Sequence, residues 1–215
     1  MLNLFRSFGS IGLVVGFLTL GGPSAQAAVT RLVTSGTTAN LSLVVSTPGS
    51  RPDCTIDIWL VLGASTSVTR TDHTTSTGAV GFLQRMDNCT DEFEFGSFNV
   101  SLPATAFTTA SGSATLSASF PVVLDSSGPA GGTVTRNLII SSVRFAALEN
   151  NSVASKTFGL IRAPAFTLIT RGRSIFNGAG ITGSIKLDGA NLLTSQATTT
   201  NSIETGSSAT IDITK

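Results

Sequence analysis

Beyond residue 28, hydrophobic residues recur at every second position along much of the chain. Leu41, Leu43 and Val45 form one row, with Ser42, Val44 and Ser46 between them. Ile56, Ile58, Leu60 and Leu62 form a second row opposite Thr55, Asp57, Trp59 and Val61. Ala114, Leu116, Ala118, Phe120 and Val122 form a third, interleaved with Ser113, Thr115, Ser117 and Ser119. A period of two puts each row on one face of a strand, whereas a helix would scatter it around its axis. Further strands are predicted near 29–34, 79–86, 92–95, 97–102, 133–145, 156–161, 166–170, 181–187 and 208–214. Short strands divided by frequent turns predict an all-β fold, an antiparallel β-sandwich or jelly-roll-like domain.

The punctuation agrees with this parsing. Pro48-Gly49-Ser50, Asp125 through Gly132, and Glu149-Asn150-Asn151 interrupt apolar runs with residues that favour turns. Asp188-Gly189, between Ile185-Lys186-Leu187 and Asn191-Leu192-Leu193, is the strongest hairpin signal in the chain. Phe93 and Phe95 are expected to face inward from odd positions, while Phe98, Val100 and Leu102 use even ones. That switch predicts a bulge at Gly96-Ser97. Residues 194–208 are polar and low in complexity, and are expected to form a loop before a last strand.

The first segment reads differently. Arg6 is the only charge before residue 31, and it precedes the apolar run Ile11–Leu20. The run is shorter than the ~20 residues that a spanning helix needs. Gly21-Gly22-Pro23 and then Ala25-Gln26-Ala27 follow it, the order of a secretory signal peptide. Residues 1–27 are therefore expected to be removed, leaving 28–215 as a single all-β domain with no membrane span. The expected location is exported: periplasmic, cell-surface or extracellular.

Export changes the reading of the cysteines. Cys54 and Cys89 are the only two, and an oxidising compartment favours a disulfide between them. With His73 they would supply three metal ligands, at no recognised spacing.

The chain has 215 residues, a formal charge of +1 and only 12% charged residues, against a usual ~25%. It carries 28 Ser and 31 Thr. So sparse a charge gives no electrostatic grip on nucleic acid. His73 is the only histidine and lies among hydroxyls next to Asp72; no G-x-S-x-G elbow accompanies it. Adjacent strand residues point to opposite faces, so Asp72 would not orient His73, and a solvated loop histidine is the plainer reading. Asp91, Glu92 and Glu94 are the densest acidic cluster. Glu92 and Glu94 lie ~7 Å apart on one strand face, and the plainer reading is a wet acidic face behind Phe93 and Phe95. With Asp87, these oxygens are also the set that calcium would take, although no D-x-D-x-D-G series is present. Trp59 could be a stacking platform for a sugar, but a core residue near the Cys54 bridge is the plainer reading. Arg171-Gly172-Arg173, with Arg162 near in sequence, is the only local basic concentration.

From Cys89 onward the chain resembles a group of exported, β-rich bacterial proteins of unknown function. The resemblance is carried by Cys89-Thr90, Phe95-Gly96-Ser97, Leu102-Pro103-Ala104 with Phe107, and Ser113-Ala114-Thr115-Leu116. Ala179–Ile185 and Asp188-Gly189 extend it. It implies export and β structure, and it transfers no site residue.

The function expected is that of a non-enzymatic exported protein with a surface, adhesion or envelope-associated role. Its partner would be a protein, a glycan or another copy of the chain, reached by strand addition. The alternative is a carbohydrate or small-ligand module using Trp59, Asp91, Glu92 or Glu94. A hydrolase using Glu92 and Glu94 or His73 is a third reading.

Overall fold

The computed structural model describes residues 28–128 and 131–214. The expected signal segment, and Pro129 and Ala130 of the Asp125–Gly132 turn, lie outside the described residues. The described residues form ten strands: β1 (Ala28–Pro48), β2 (Thr55–Thr69), β3 (Thr74–Asp87), β4 (Glu92–Ser101), β5 (Phe107–Ala110), β6 (Ser113–Ser126), β7 (Thr133–Arg162), β8 (Phe166–Leu187), β9 (Ala190–Asn191) and β10 (Thr198–Thr214). A 3-10 turn at Ala104–Ala106 precedes β5.

The all-β antiparallel class is what the alternating rows predict. The connectivity goes further. Each strand pairs with the next along β1-β2-β3-β4-β6-β7-β8, and β10 pairs with both β8 and β1. The sheet therefore closes into one up-and-down ring instead of two facing sheets, because alternation reports which side chains point inward but not which edges meet. A ring of eight strands leaves an interior that side chains just fill. Here Leu41, Leu43, Leu60, Leu62, Leu83, Leu116, Leu138, Phe145 and Ile185 fill it and are fully buried. Outward rows carry Ser42, Ser46, Asp57, Gln84, Ser97 and Asp125. Apolar side chains such as Val44, Trp59, Val80, Phe95 and Val123 are exposed among them on the outer face. No helix among the described residues is long and apolar enough to cross a membrane.

Three local expectations are corrected. β4 has no register change: Glu94 and Phe98 face inward from even positions, and Phe93 and Phe95 face outward. The Glu149–Asn151 segment does not turn. β7 runs through it, with register irregularities at Ser141/Arg144 and Ala147/Ser152 that shift and then restore the inward parity. Most of 194–208 is strand, since β10 begins at Thr198, bonded to β1 throughout and to β8 from Ser202 onward. Asp188-Gly189 does form the hairpin turn, both residues having positive φ (49° and 89°) and joining β8 to β9, as a type I′ turn requires.

The ring is uneven in two places. The β4–β6 seam is short, with only Glu94↔Ser126 and Phe95↔Asp125 in register. At the far end, β7, β8, β10 and β1 run past the rest of the wall. β6 starts opposite Ala146, yet β7 continues to Arg162 paired with β8 alone among the described residues. Eleven residues at ~3.3 Å each make this flap about 36 Å long.

Candidate functional site

The disulfide end of the ring is covalently and ionically tied. Cys54 and Cys89 are bonded, with Cα atoms 5.3 Å apart, joining the β1–β2 loop to the β3–β4 turn. Arg51 donates to the Cys89 carbonyl at 2.9 Å. Gly49 lies against the bridge, where any Cβ would run into the Cys89 Sγ.

Inside the same end, a chain of charges runs Asp87–Arg85–Glu94–Arg136–Asp188. Arg85 Nη1 donates to Glu94 at 3.0 Å and Arg85 Nη2 to Asp87 at 2.9 Å. Arg136 donates to Glu94 through Nε at 2.9 Å and also through Nη2. Its Nη1 reaches Asp188 at 3.1 Å. Glu94 is fully buried, so two arginines supply what water would otherwise provide. Its hydrogen bonds hold the Arg136 guanidinium above its ordinary pKa, against the effect of burial, with Asp188 adding to the shift. Burial pushes Asp87 up, but the Cys89 amide and Arg85 outweigh it and leave its pKa below the usual carboxylate value. Because Glu94 is on β4 and Arg136 on β7, this chain spans β6 and clamps the seam where backbone pairing is shortest.

The residues singled out from sequence therefore separate. Glu94 is committed to arginines inside the ring. Glu92 accepts a hydrogen bond from Ser126 Oγ at 2.8 Å. Asp91 is exposed in the β3–β4 turn. Among the described residues no group of three or more His, Cys, Asp or Glu is placed to hold a metal ion. His73 sits exposed at the β2–β3 turn, and the neighbouring Asp72 accepts instead from the Thr74 hydroxyl and amide, at 2.8 and 3.1 Å. Those bonds lower the Asp72 pKa.

Trp59 is on the outer wall, 37% exposed, and not in the core. Its indole N–H meets Ser42 Oγ at 3.3 Å, and its ring stands edge-on to Phe82 with centroids 5.0 Å apart. Phe82 is followed by Phe95 at 5.9 Å. In register, Val44, Trp59, Gln84, Phe95 and Asp125 form one row across five strands. This apolar wall is bordered by Asp57 and Asp125. Hydrogen bonds from Ser46 and Asn88 lower the Asp57 pKa, so it is ionised at neutral pH. A shallow depression of about 540 Å³ lies nearby beneath Val44, Pro48 and Cys54, and Trp59 does not line it.

The flap is the other exposed feature, and sequence reasoning did not assemble it. Cross-strand partners share a face, so the register sorts its residues. Lys156, Arg173, Ser207 and Ser35 form one row; Phe158, Arg171, Ala209 and Val33 the next; Leu160, Ile169, Ile211 and Arg31 the third. The parity of β1 carries these rows onto the same face as the buried Ala39 and Leu41. The inner face of the flap thus continues the core beyond the point where the opposite wall stops. Phe158 is 66% exposed, with Arg171 stacked 5.9 Å from its ring centre. The clue available in sequence was parity: Arg171 and Arg173 alternate in step with Ile169 and Ile175.

Comparison of the chain with protein-family models, curated proteins and solved structures finds no match.

Proposed function

We propose that this chain is an exported, non-enzymatic interaction protein with a surface, adhesion or envelope-associated role, and that the flap is its working element. The observation that carries this reading is the flap itself. It presents an eleven-residue edge strand, Ser152–Arg162, bonded on one side only among the described residues. Exposed Val153, Phe158, Leu160 and Ile161 lie along it. Soluble folds blunt such edges, because unpaired backbone groups beside apolar side chains recruit another chain. Its charges are Lys156 and Arg162, and it contains no proline. The side-chain-filled interior supports a scaffolding part for the ring, and the disulfide agrees with an oxidising compartment.

The test is retention on the envelope. Purified protein is incubated with cells of the source that lack it, and bound and free fractions are compared with those of Phe158→Lys/Ile161→Lys. Both positions are exposed, so the variant should fold and melt close to the parent. Retention of the parent and loss of the variant is expected. Equal retention of both, or release of both, would overturn the reading.

A further inference from the structure

The two exposed features are complementary. The inner face of the flap carries Arg31, Lys156, Arg162, Arg171 and Arg173, and no carboxylate among the described residues shares it. Lys156 and Arg173 are direct cross-strand partners, with Arg171 two residues along the same face. Like charges so placed repel and destabilise a sheet until an anion neutralises them. Among the described residues the only salt bridges are those of Arg85 and Arg136, so the fold leaves the flap's cations uncompensated. Between them lie Val29, Phe158, Leu160 and Ile211. The fitting partner surface is therefore apolar, preferably aromatic, and edged with carboxylates. The outer wall at the opposite end of this molecule has that composition: Trp59, Phe82 and Phe95, flanked by Asp57 and Asp125. Arginine is the cation that stacks best on such rings.

Resting on the interaction role proposed above, we propose that the partner is a second copy of this chain, its Trp59–Phe95 wall seated on the flap's inner face. The two surfaces are different patches at opposite ends, so the contact is heterologous and copies add head to tail. The exposed rows from Lys156 to Arg162, four strands at ~4.8 Å across and about 23 Å along, give roughly 440 Å², about half the ~800 Å² per partner of a stable interface, so the contact is expected to be weak and concentration-dependent. Because the contact joins cations to carboxylates at an exposed rim, raising salt weakens it.

The experiment is a mixing test by native mass spectrometry and sedimentation. One variant, Arg171→Glu/Arg173→Glu, loses the flap surface and keeps its wall. The other, Phe95→Ser/Asp125→Lys, loses the wall and keeps its flap. The parent is expected to form a concentration-dependent ladder of oligomers, weakened at least tenfold in apparent affinity between 50 and 500 mM salt. Each variant alone should be monomeric, and their mixture should give a one-to-one dimer that grows no further. Oligomers in either variant alone, or a monomeric mixture, would overturn the proposal. Should a variant fail to fold, the salt response of the parent decides, and a ladder indifferent to salt counts against it. A parent that stays monomeric at all concentrations yet binds vesicles of anionic phospholipid also overturns it. A monomer retained on the envelope would refute head-to-tail assembly alone, whereas a monomer released from cells would refute the interaction role as well.

Discussion

Glu94→Gln removes the charge on which the seam clamp turns, with almost no change of shape. The side chain of Glu94 has no exposure, while those of Arg85 and Arg136 retain 12% and 24%. Breaking a buried ion pair by removing one partner costs ~3–5 kcal/mol, because the remaining charge stays desolvated. Each arginine keeps a second carboxylate, Asp87 or Asp188, and Arg136 is partly wet, so the lower end of that range applies, about 3 kcal/mol. For a chain of this size that corresponds to roughly 6–12 °C in Tm. Urea unfolding of the oxidised protein measures it, with the m-value expected to hold and the midpoint to fall. Amides of Phe95, Asp125 and Ser127, the last of which donates to the Phe93 carbonyl across the seam, should exchange faster with solvent than those at the β2–β3 pairing, since the loss is local to the seam. Pairing Glu94→Gln with Arg136→Met should recover more than about 1 kcal/mol of the summed single losses, as residues in one network couple. A destabilisation under 1 kcal/mol, or strictly additive losses, would refute the clamp.

The disulfide end yields three other outcomes. Cys54→Ala/Cys89→Ala should cost about 4 kcal/mol in urea unfolding, from the chain entropy of a loop with separation 35; an unchanged midpoint would contradict it. Gly49→Ala should destabilise the oxidised protein by roughly 1–3 kcal/mol by crowding the bridge, and the penalty should shrink after reduction. Asp57 and Asp87 have pKa values lowered in the fold from an ordinary 3.8. The unfolded chain binds their protons first, so this stabilisation is present in full above about pH 4 and is lost as pH falls through the folded values. Asp57→Asn should lower the plateau above about pH 6 and so flatten the acid limb of a Tm-against-pH profile, leaving the low-pH end nearly unmoved.

Much of the ring was legible because burial imposes a period of two. The rows through Leu41, Ile58, Leu60 and Leu116 are inward as the pattern requires, and Asp188-Gly189 turns where its left-handed pair demands. Phe93 and Phe95 misled because aromatic residues normally outrank a carboxylate for the interior. Here Glu94 brings two arginines with it, each sitting in an otherwise apolar row beside Leu83 or Leu138. Polarity likewise disguised β10, whose Thr198–Ser202 backbone is held by pairing to β1 and needs no help from its side chains. Ring closure, and with it the flap, depends on β8 meeting β10, a long-range pairing for which local pattern carries no signal. The cationic face comes from that register alone, since Lys156 and Arg173 become neighbours only once β7 and β8 align.

Head-to-tail assembly is tested most directly by hydrogen exchange on the purified protein, dilute against concentrated, at low salt. New protection is expected in two regions together: the flap strands at 152–162 and 167–175, and the wall strands at 57–61 and 82–95. Both should disappear when salt is raised. Protection confined to the flap, or none in either region while the protein assembles, would contradict the pairing of flap with wall.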